Sequence, residues 1–326
     1  MFGEDEVSRL DIADVRAAYD RIARYLPETP LVQHPAFARA LGCDAWLKLE
    51  SAQPTGAFKV RGGVNWMAVN VEQVRERGVV TASTGNHGQS IAYAAALYGV
   101  PAVIYAPAGA NPFKVRAMEA MGAEVRLEGQ DFQASVAVAE RAAQEEGRRF
   151  ISSGDEPLLI AGVATMALEA FARRSFDVLI VPVGGGSNAA GAALVAKALS
   201  AQTRVIAVCS AQAPAAHDAW LRREHVRYES QSTLAEGLAT RESYDLPQSL
   251  LAEYLDDFVL VDDREIAEGV RFLIEHAHQL AEPAGAAALA CARRLRTEIA
   301  GASVLLPVTG ANISLASLRD IMFTKS

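Results

Sequence analysis

Short runs rich in Val, Ile and Leu alternate with Ala-rich amphipathic stretches along nearly the whole chain. Buried parallel strands read as continuous apolar runs and crossover helices as 3.6-residue patterns, so the alternation predicts an α/β fold on mostly parallel sheets. The apolar runs place strands at 45–50, 79–83, 102–106, 124–127, 179–183, 205–210, 258–261 and 304–308. Helices are expected in the gaps, notably over 11–26, 58–69, 89–98, 131–146, 188–199, 264–278 and 312–321. No Pro- or Ser-rich linker and no fixed-period repeat divides the chain, so a second domain has to be inserted into the first. The segment 78–152 reads as a self-contained βαβαβα block. The expectation is a small domain over 78–152 and a large one formed by 1–77 and 153–326.

Between Arg77 and Lys114 there is no Lys, Arg, Asp or Glu. Gly, Pro, Asn, His and Gln interrupt this stretch, which excludes a continuous membrane span and leaves a buried strand-helix-strand unit. The 326 residues are 51% hydrophobic and 21% charged, an ordinary globular composition with room for two domains or one large α/β unit. Asp plus Glu number 39 against 31 Lys plus Arg, and the net charge of −8 argues against a nucleic-acid surface. Cys43, Cys209 and Cys291 are odd in number and far apart. They suggest neither a disulfide framework nor a thiolate metal site, and point to a reducing cytoplasm. The acidic N-terminal stretch carries no basic region followed by an apolar run, so no secretory signal is expected.

Four turns carry candidate chemistry, each at the carboxyl end of an expected strand or the start of a helix. In "PTGAFKVRGG", Lys59 stands near a helix start, the positive end of the macrodipole, which lowers an amine's pKa; on position alone a surface lysine with an exposed head is the commoner case. "STGNHG", from Ser83 to Gly88, offers backbone donors and two hydroxyls to an anion, or is a capped βα turn in which His87 is structural. "VPVGGGSNAAG" runs an apolar strand into Gly184, Gly185 and Gly186, then Ser187 and Asn188 open a helix, which is a phosphate-cradle pattern. A dinucleotide fingerprint there lacks its acid about twenty residues on, and a nucleophile elbow on Ser187 lacks its second glycine. "PVTGANIS" puts Thr309 at a strand end. His276 and His278, two apart on a helix, point to different faces, so no metal site is expected. Glu282 is a lone acid in an apolar setting.

Taken together and in order, the four turns resemble the fold-type II enzymes that use pyridoxal 5'-phosphate, most closely the serine/threonine dehydratase and serine racemase family. The likeness runs from about residue 28 to residue 318. It implies a two-domain fold with a mostly parallel sheet in each domain, and a homodimer. Lys59 matches the lysine that carries the cofactor, and Phe58 an apolar residue beside it. Asn86 matches the partner of the ring hydroxyl. Gly184, Gly185, Gly186 and Ser187 match the phosphate cradle, with Asn188 adjoining, and Thr309 matches the residue facing the pyridine nitrogen. Ser83, Thr84 and Gly85 match the loop that holds the carboxylate of a small amino-acid substrate, and His87 is counted with that loop. The implied activity is dehydration of a β-hydroxy amino acid to a 2-keto acid and ammonia, with Lys59 as base. Racemisation, using Thr84 on the opposite face, or dehydration of a 3-hydroxyaspartate or a bulkier substrate, are the alternatives. The chain departs from the pattern at Ser187, where dehydratases often have a fourth glycine, at Ala57, where Ser is common, and at Thr309, where Ser or Cys is usual. It also lacks the acid after Ser210 through which some relatives bind a cation.

Overall fold

A computed structural model describes residues 10–323; the acidic N-terminal residues 1–9 and residues 324–326 lie outside the described set. The strands are β1 (Leu31–Val32), β2 (Asp44–Leu49), β3 (Val79–Ala82), β4 (Ala102–Ala106), β5 (Glu124–Leu127), β6 (Arg149–Phe150), β7 (Val178–Pro182), β8 (Arg204–Ser210), β9 (Asp257–Val261) and β10 (Ser303–Val308). The helices are α1 (Ile12–Ile22), α2 (Pro35–Leu41), α3 (Val60–Val74), α4 (Asn86–Tyr98), α5 (Pro112–Ala120), α6 (Phe132–Glu146), α7 (Pro157–Arg173), α8 (Ser187–Leu199), α9 (Ala215–Arg222), α10 (Asp245–Tyr254), α11 (Asp263–Ala277), α12 (Pro283–Arg294) and α13 (Leu315–Phe323).

The strands form two sheets, one ordered β1-β2-β10-β7-β8-β9 and one ordered β5-β4-β3-β6. Apart from the antiparallel β1–β2 edge every pairing is parallel. The fold is therefore the α/β class with mostly parallel sheets that the alternating pattern predicts. The larger sheet buries one face under α2, α11 and α12, with Phe37, Leu273, Leu289 and Leu306 in one cluster. Its other face packs on α7, α8 and α10 through Ile160, Val181, Leu194 and Leu251. The smaller sheet is covered by α6 on one side. On the other lie α4 and α3, whose Val64 and Trp66 share a cluster with Ile91 and Ile104.

Three helix starts differ from the expected ones by more than one residue, each for a local reason. Helix α3 begins at Val60 and not at Phe58, because the Phe58 N–H donates to Thr309 O (3.0 Å) beside an Ala57–Gly310 bridge. Helix α4 begins three residues early, at Asn86, because Ser83 Oγ accepts the N–H of Gly85 (3.0 Å) and Gly88 (2.8 Å). Residues 312–314 stay outside α13, with Asn312 Nδ2 donating to Thr55 O and Asn86 Oδ1, both at 2.8 Å.

Candidate active site

Strand order decides which turns meet. β10, the last strand in sequence, lies between β2 and β7, pairing Val308 with Leu49 and Leu305 with Leu179. Because these strands run parallel, the chain leaving β2 toward Lys59, the glycines after β7 and Thr309 after β10 emerge at one end of the sheet. A cavity of about 520 Å³ opens there, and the turn after β3 closes it from the smaller sheet. Lys59, Phe58, the 83–87 turn, Gly184 to Asn188 and Thr309 all line it. Every site residue expected from the four turns thus reaches one space.

Lys59 holds the N-cap position of α3. Lys59 is half-buried and lines the cavity, its amine 3.1 Å from Ser187 Oγ, 3.5 Å from Ser153 O and 5.5 Å from the centre of the Phe58 ring. Burial, with no carboxylate alongside, pulls the amine down to about 8, since desolvation disfavours the charged form. In the unliganded protein, modification of Lys59 by an amine-directed reagent is expected to accelerate with pH and level off above about 8. Only the unprotonated amine is a nucleophile. Peptide mapping of the modified chain measures this, and an inflection in the ordinary lysine range would contradict it.

The glycine turn is built for close approach. A Cβ on Gly184 would lie 2.4 Å from Gly237 O, and Gly186 at φ +96° caps α8 in a conformation that L side chains rarely adopt. The first backbone N–H groups of α8 have no intrahelical partner and, with the positive end of the helix, suit an anion. The Asn188 amide, which lines the cavity, is buried with neither its nitrogen nor its oxygen hydrogen-bonded. A buried amide without partners marks a place prepared for a polar ligand.

The 83–87 turn divides its groups. Ser83 Oγ is engaged by the two N–H groups at the start of α4, while Thr84 faces the cavity half-exposed. His87 is buried with Nε2 2.9 Å from Thr81 Oγ1, and Thr81 itself donates to Ile151 O at 2.7 Å. Burial and the neighbouring Lys59 charge push His87 down to about 3, so its imidazole is neutral, and Nε2 carries the hydrogen that Thr81 accepts. Asn86 Nδ2 donates to Glu282 Oε1 at 2.5 Å. Burial pushes the Glu282 carboxyl up, against the pull of Lys114 and Asn86.

Several wall residues escaped the sequence reading. Lys114, buried on α5, pairs with Glu236 at 2.7 Å and stands 3.6 Å from Glu282. Asp131 and Phe132 at the start of α6, and Gln231 and Thr240 on the loop before α10, complete the rim. Arg241 spans the two sides through Asp131 (3.1 Å) and Gln133 (3.1 Å). The one available signal was Lys114 itself, the first charge after a long uncharged stretch.

A buried amine of lowered pKa beside a glycine anion cradle, at the carboxyl end of parallel strands, defines an enzyme that holds a phosphorylated carbonyl cofactor on a lysine. The family comparison gives the particular group: residues 22–310 match the model described as pyridoxal-phosphate dependent enzyme, and the chain belongs to that family. It is 34% identical to an L-threonine ammonia-lyase of Thermotoga maritima, over 96% of this chain and 78% of that one. It is 32% identical to a catabolic L-threonine dehydratase of Escherichia coli, over 95% of each. Among solved structures it resembles maize serine racemase (TM-score 0.90, 30% identity, 97% of each chain). It also resembles a threonine deaminase from T.th. (TM-score 0.88, 32% identity, 94% of this chain and 99% of that one).

Proposed function

We infer that this chain is a pyridoxal-phosphate dependent ammonia-lyase that converts a small β-hydroxy amino acid of the serine/threonine type to a 2-keto acid and ammonia. The observation that carries the reading is the buried Lys59 amine, lowered to about 8 and 3.1 Å from Ser187 at the mouth of the glycine cradle. The residues present fit the cofactor. Gly184 to Ser187 and the start of α8 suit its phosphate, the unpartnered Asn188 amide adjoins them, Asn86 suits its ring hydroxyl and Thr309 its ring nitrogen. When bound, the cofactor supplies the electron sink that lets the substrate's Cα–H bond break. Lys59 Nζ takes that proton, which its lowered pKa permits near neutral pH. The backbone donors of the 83–87 turn hold the substrate carboxylate, and the neutral His87 keeps that turn tied to β3.

The names of the threonine ammonia-lyase, dehydratase and deaminase support threonine as substrate, and that of maize serine racemase supports serine. A panel of β-hydroxy amino acids, including 3-hydroxyaspartate and bulkier members, assayed for keto acid and ammonia tests this. Turnover of none of them would overturn it.

Thr309 is 5% exposed and carries no charge. Thr309→Asp is expected to retain the cofactor, change its visible spectrum and slow elimination about tenfold or more, because a carboxylate raises the ring nitrogen's pKa. An unchanged spectrum would show that Thr309 does not face the ring. Thr84 is the hydroxyl assigned to the second face, and its β-branch restricts its rotamers. Thr84→Ala is expected to keep most of the L-dehydratase rate and to lower any racemase activity by about a hundredfold. Parallel assays with L- and D-substrates read both.

The same reading places the enzyme in the cytoplasm, where its three buried free cysteines would stay reduced, as a homodimer. No helix among the described residues is long and apolar enough to cross a membrane. The exposed Leu315 and Phe323 on α13 support a partner surface, and light scattering of the purified protein decides the state. The small domain over 78–152 belongs to this reading too, supported by the separate sheet that β3, β4, β5 and β6 form.

A further inference from the structure

One buried set of charges next to the site takes no part in the chemistry above. Arg61, two residues beyond Lys59, is 1% exposed, and Lys48, Glu50 and Glu169 around it are exposed by 1%, 0% and 4%. Arg61 binds Glu50 through Nε (2.7 Å to Oε2) and Nη2 (2.9 Å to Oε1). It binds Glu169 through Nη1 (2.6 Å to Oε1) and Nη2 (2.9 Å to Oε2). Thr165 and Thr29 accept from the same guanidinium at 3.1 and 3.3 Å. Lys48 Nζ donates to Glu169 Oε2 at 2.5 Å and to Thr29 O at 2.6 Å. Two cations and two anions cancel, and no nitrogen of the fork is unengaged.

Stability alone is a poor account of this quartet, because apolar side chains of similar volume would avoid desolvating four ions. What the ions supply is direction. A planar fork bound by two carboxylates has one place to sit, which a flexible or apolar side chain would not enforce. Those carboxylates come from the turn after β2 and from α7, whereas the rest of α3 packs with the smaller sheet. The α3–α7 crossing is tight as well: a Cβ on Gly62 would lie 2.9 Å from Leu159 O, and one on Gly162 would lie 2.6 Å from Arg61 O. The Lys59 carbonyl accepts from Ser90 Oγ at 2.6 Å.

We propose that Arg61 is the positioning residue for Lys59: held by Glu50 and Glu169, it sets the place and rotation of the first turn of α3, and so the point that Lys59 Nζ reaches in the cavity. This rests on the assignment of Lys59 as the cofactor lysine. Arg61→Lys keeps the charge and loses the fork, and Glu50→Gln keeps the shape and loses one charge.

In the holoenzyme, kcat of Arg61→Lys is expected to fall about a hundredfold while KM moves less than about threefold, the mark of a misplaced base with intact substrate contacts. The visible circular dichroism of the bound cofactor should change with it. Trapping of added cofactor on Lys59 of the apoenzyme by borohydride should slow about tenfold, since the same amine must reach the cofactor. If Arg61→Lys does not fold, Glu50→Gln is read by the same measures. A folded variant with a lowered melting temperature but parental dichroism, trapping and kcat would overturn the proposal, leaving the quartet a structural device only. Failure of both variants to fold would overturn it in the same way. Absence of trapping on Lys59 in the parent protein would instead remove the cofactor assignment.

Discussion

Lys59→Ala is expected to lose turnover by at least about three orders of magnitude, because on the proposed assignment it removes both the covalent anchor and the general base. The purified parent protein should be yellow, and borohydride should fix the colour on the peptide containing Lys59. The alanine variant should bind the cofactor only reversibly and release it on dialysis. Lys59→Arg should be as inactive, because a guanidinium does not deprotonate in a protein. The other lysine lining the cavity, Lys114, is engaged by Glu236 and Glu282. Mass spectrometry of the reduced protein therefore separates two outcomes, and a label on Lys114 would show that Lys59 is not the anchor.

The next largest effect is expected at Gly184. A Cβ there meets Gly237 O at 2.4 Å, and Leu238 Cα and the Gly237 carbonyl carbon at 3.4 Å, all of them backbone. Backbone gives way less readily than a side-chain tip, so Gly184→Ala should push the 236–238 turn outward. We expect about 1–3 kcal/mol of destabilisation from overpacking. Cofactor affinity should weaken about tenfold or more, the worth of one charge-assisted hydrogen bond. Gly185→Ala should be milder, since its Cβ would meet only the Tyr244 ring, 3.1 Å away. Fluorescence titration of the apoenzymes with cofactor measures both affinities. Equal losses at the two positions would mean that the 236–238 turn does not brace the cradle.

The central strands were the most legible elements because they are buried on both faces. β4 and β7 are buried at every position and read as unbroken apolar runs. Helices with a solvated face, such as α6 and α11, were legible through their periodicity. Helix α7 was not: Leu159, Val163, Met166 and Phe171 are buried together with most of the residues between them, so it has no polar face to mark its period. Helix α12 is buried almost all round in the same way. The two-residue strands β1 and β6 are too short to carry a pattern, and pairing alone makes them strands.

For the site, local chemistry was readable wherever a turn needs particular residues. Glycines after an apolar strand, a lysine at a helix start and a hydroxyl at a strand end each carry a constraint that belongs to a few neighbouring positions. These single out Lys59, the 83–87 turn, Gly184 to Asn188 and Thr309 as candidates, each ambiguous alone, and only their order along the chain carries the family resemblance that gives them roles. Whether they meet depends on strand order, and β10 reaches its place between β2 and β7 through pairings far apart in sequence. The same holds for Lys114 against Glu236 and Glu282, and for Arg61 against Glu50 and Glu169. A charge reads as a surface residue until the fold buries it, because the partner that makes burial tolerable is brought by another element and leaves no trace in the local pattern.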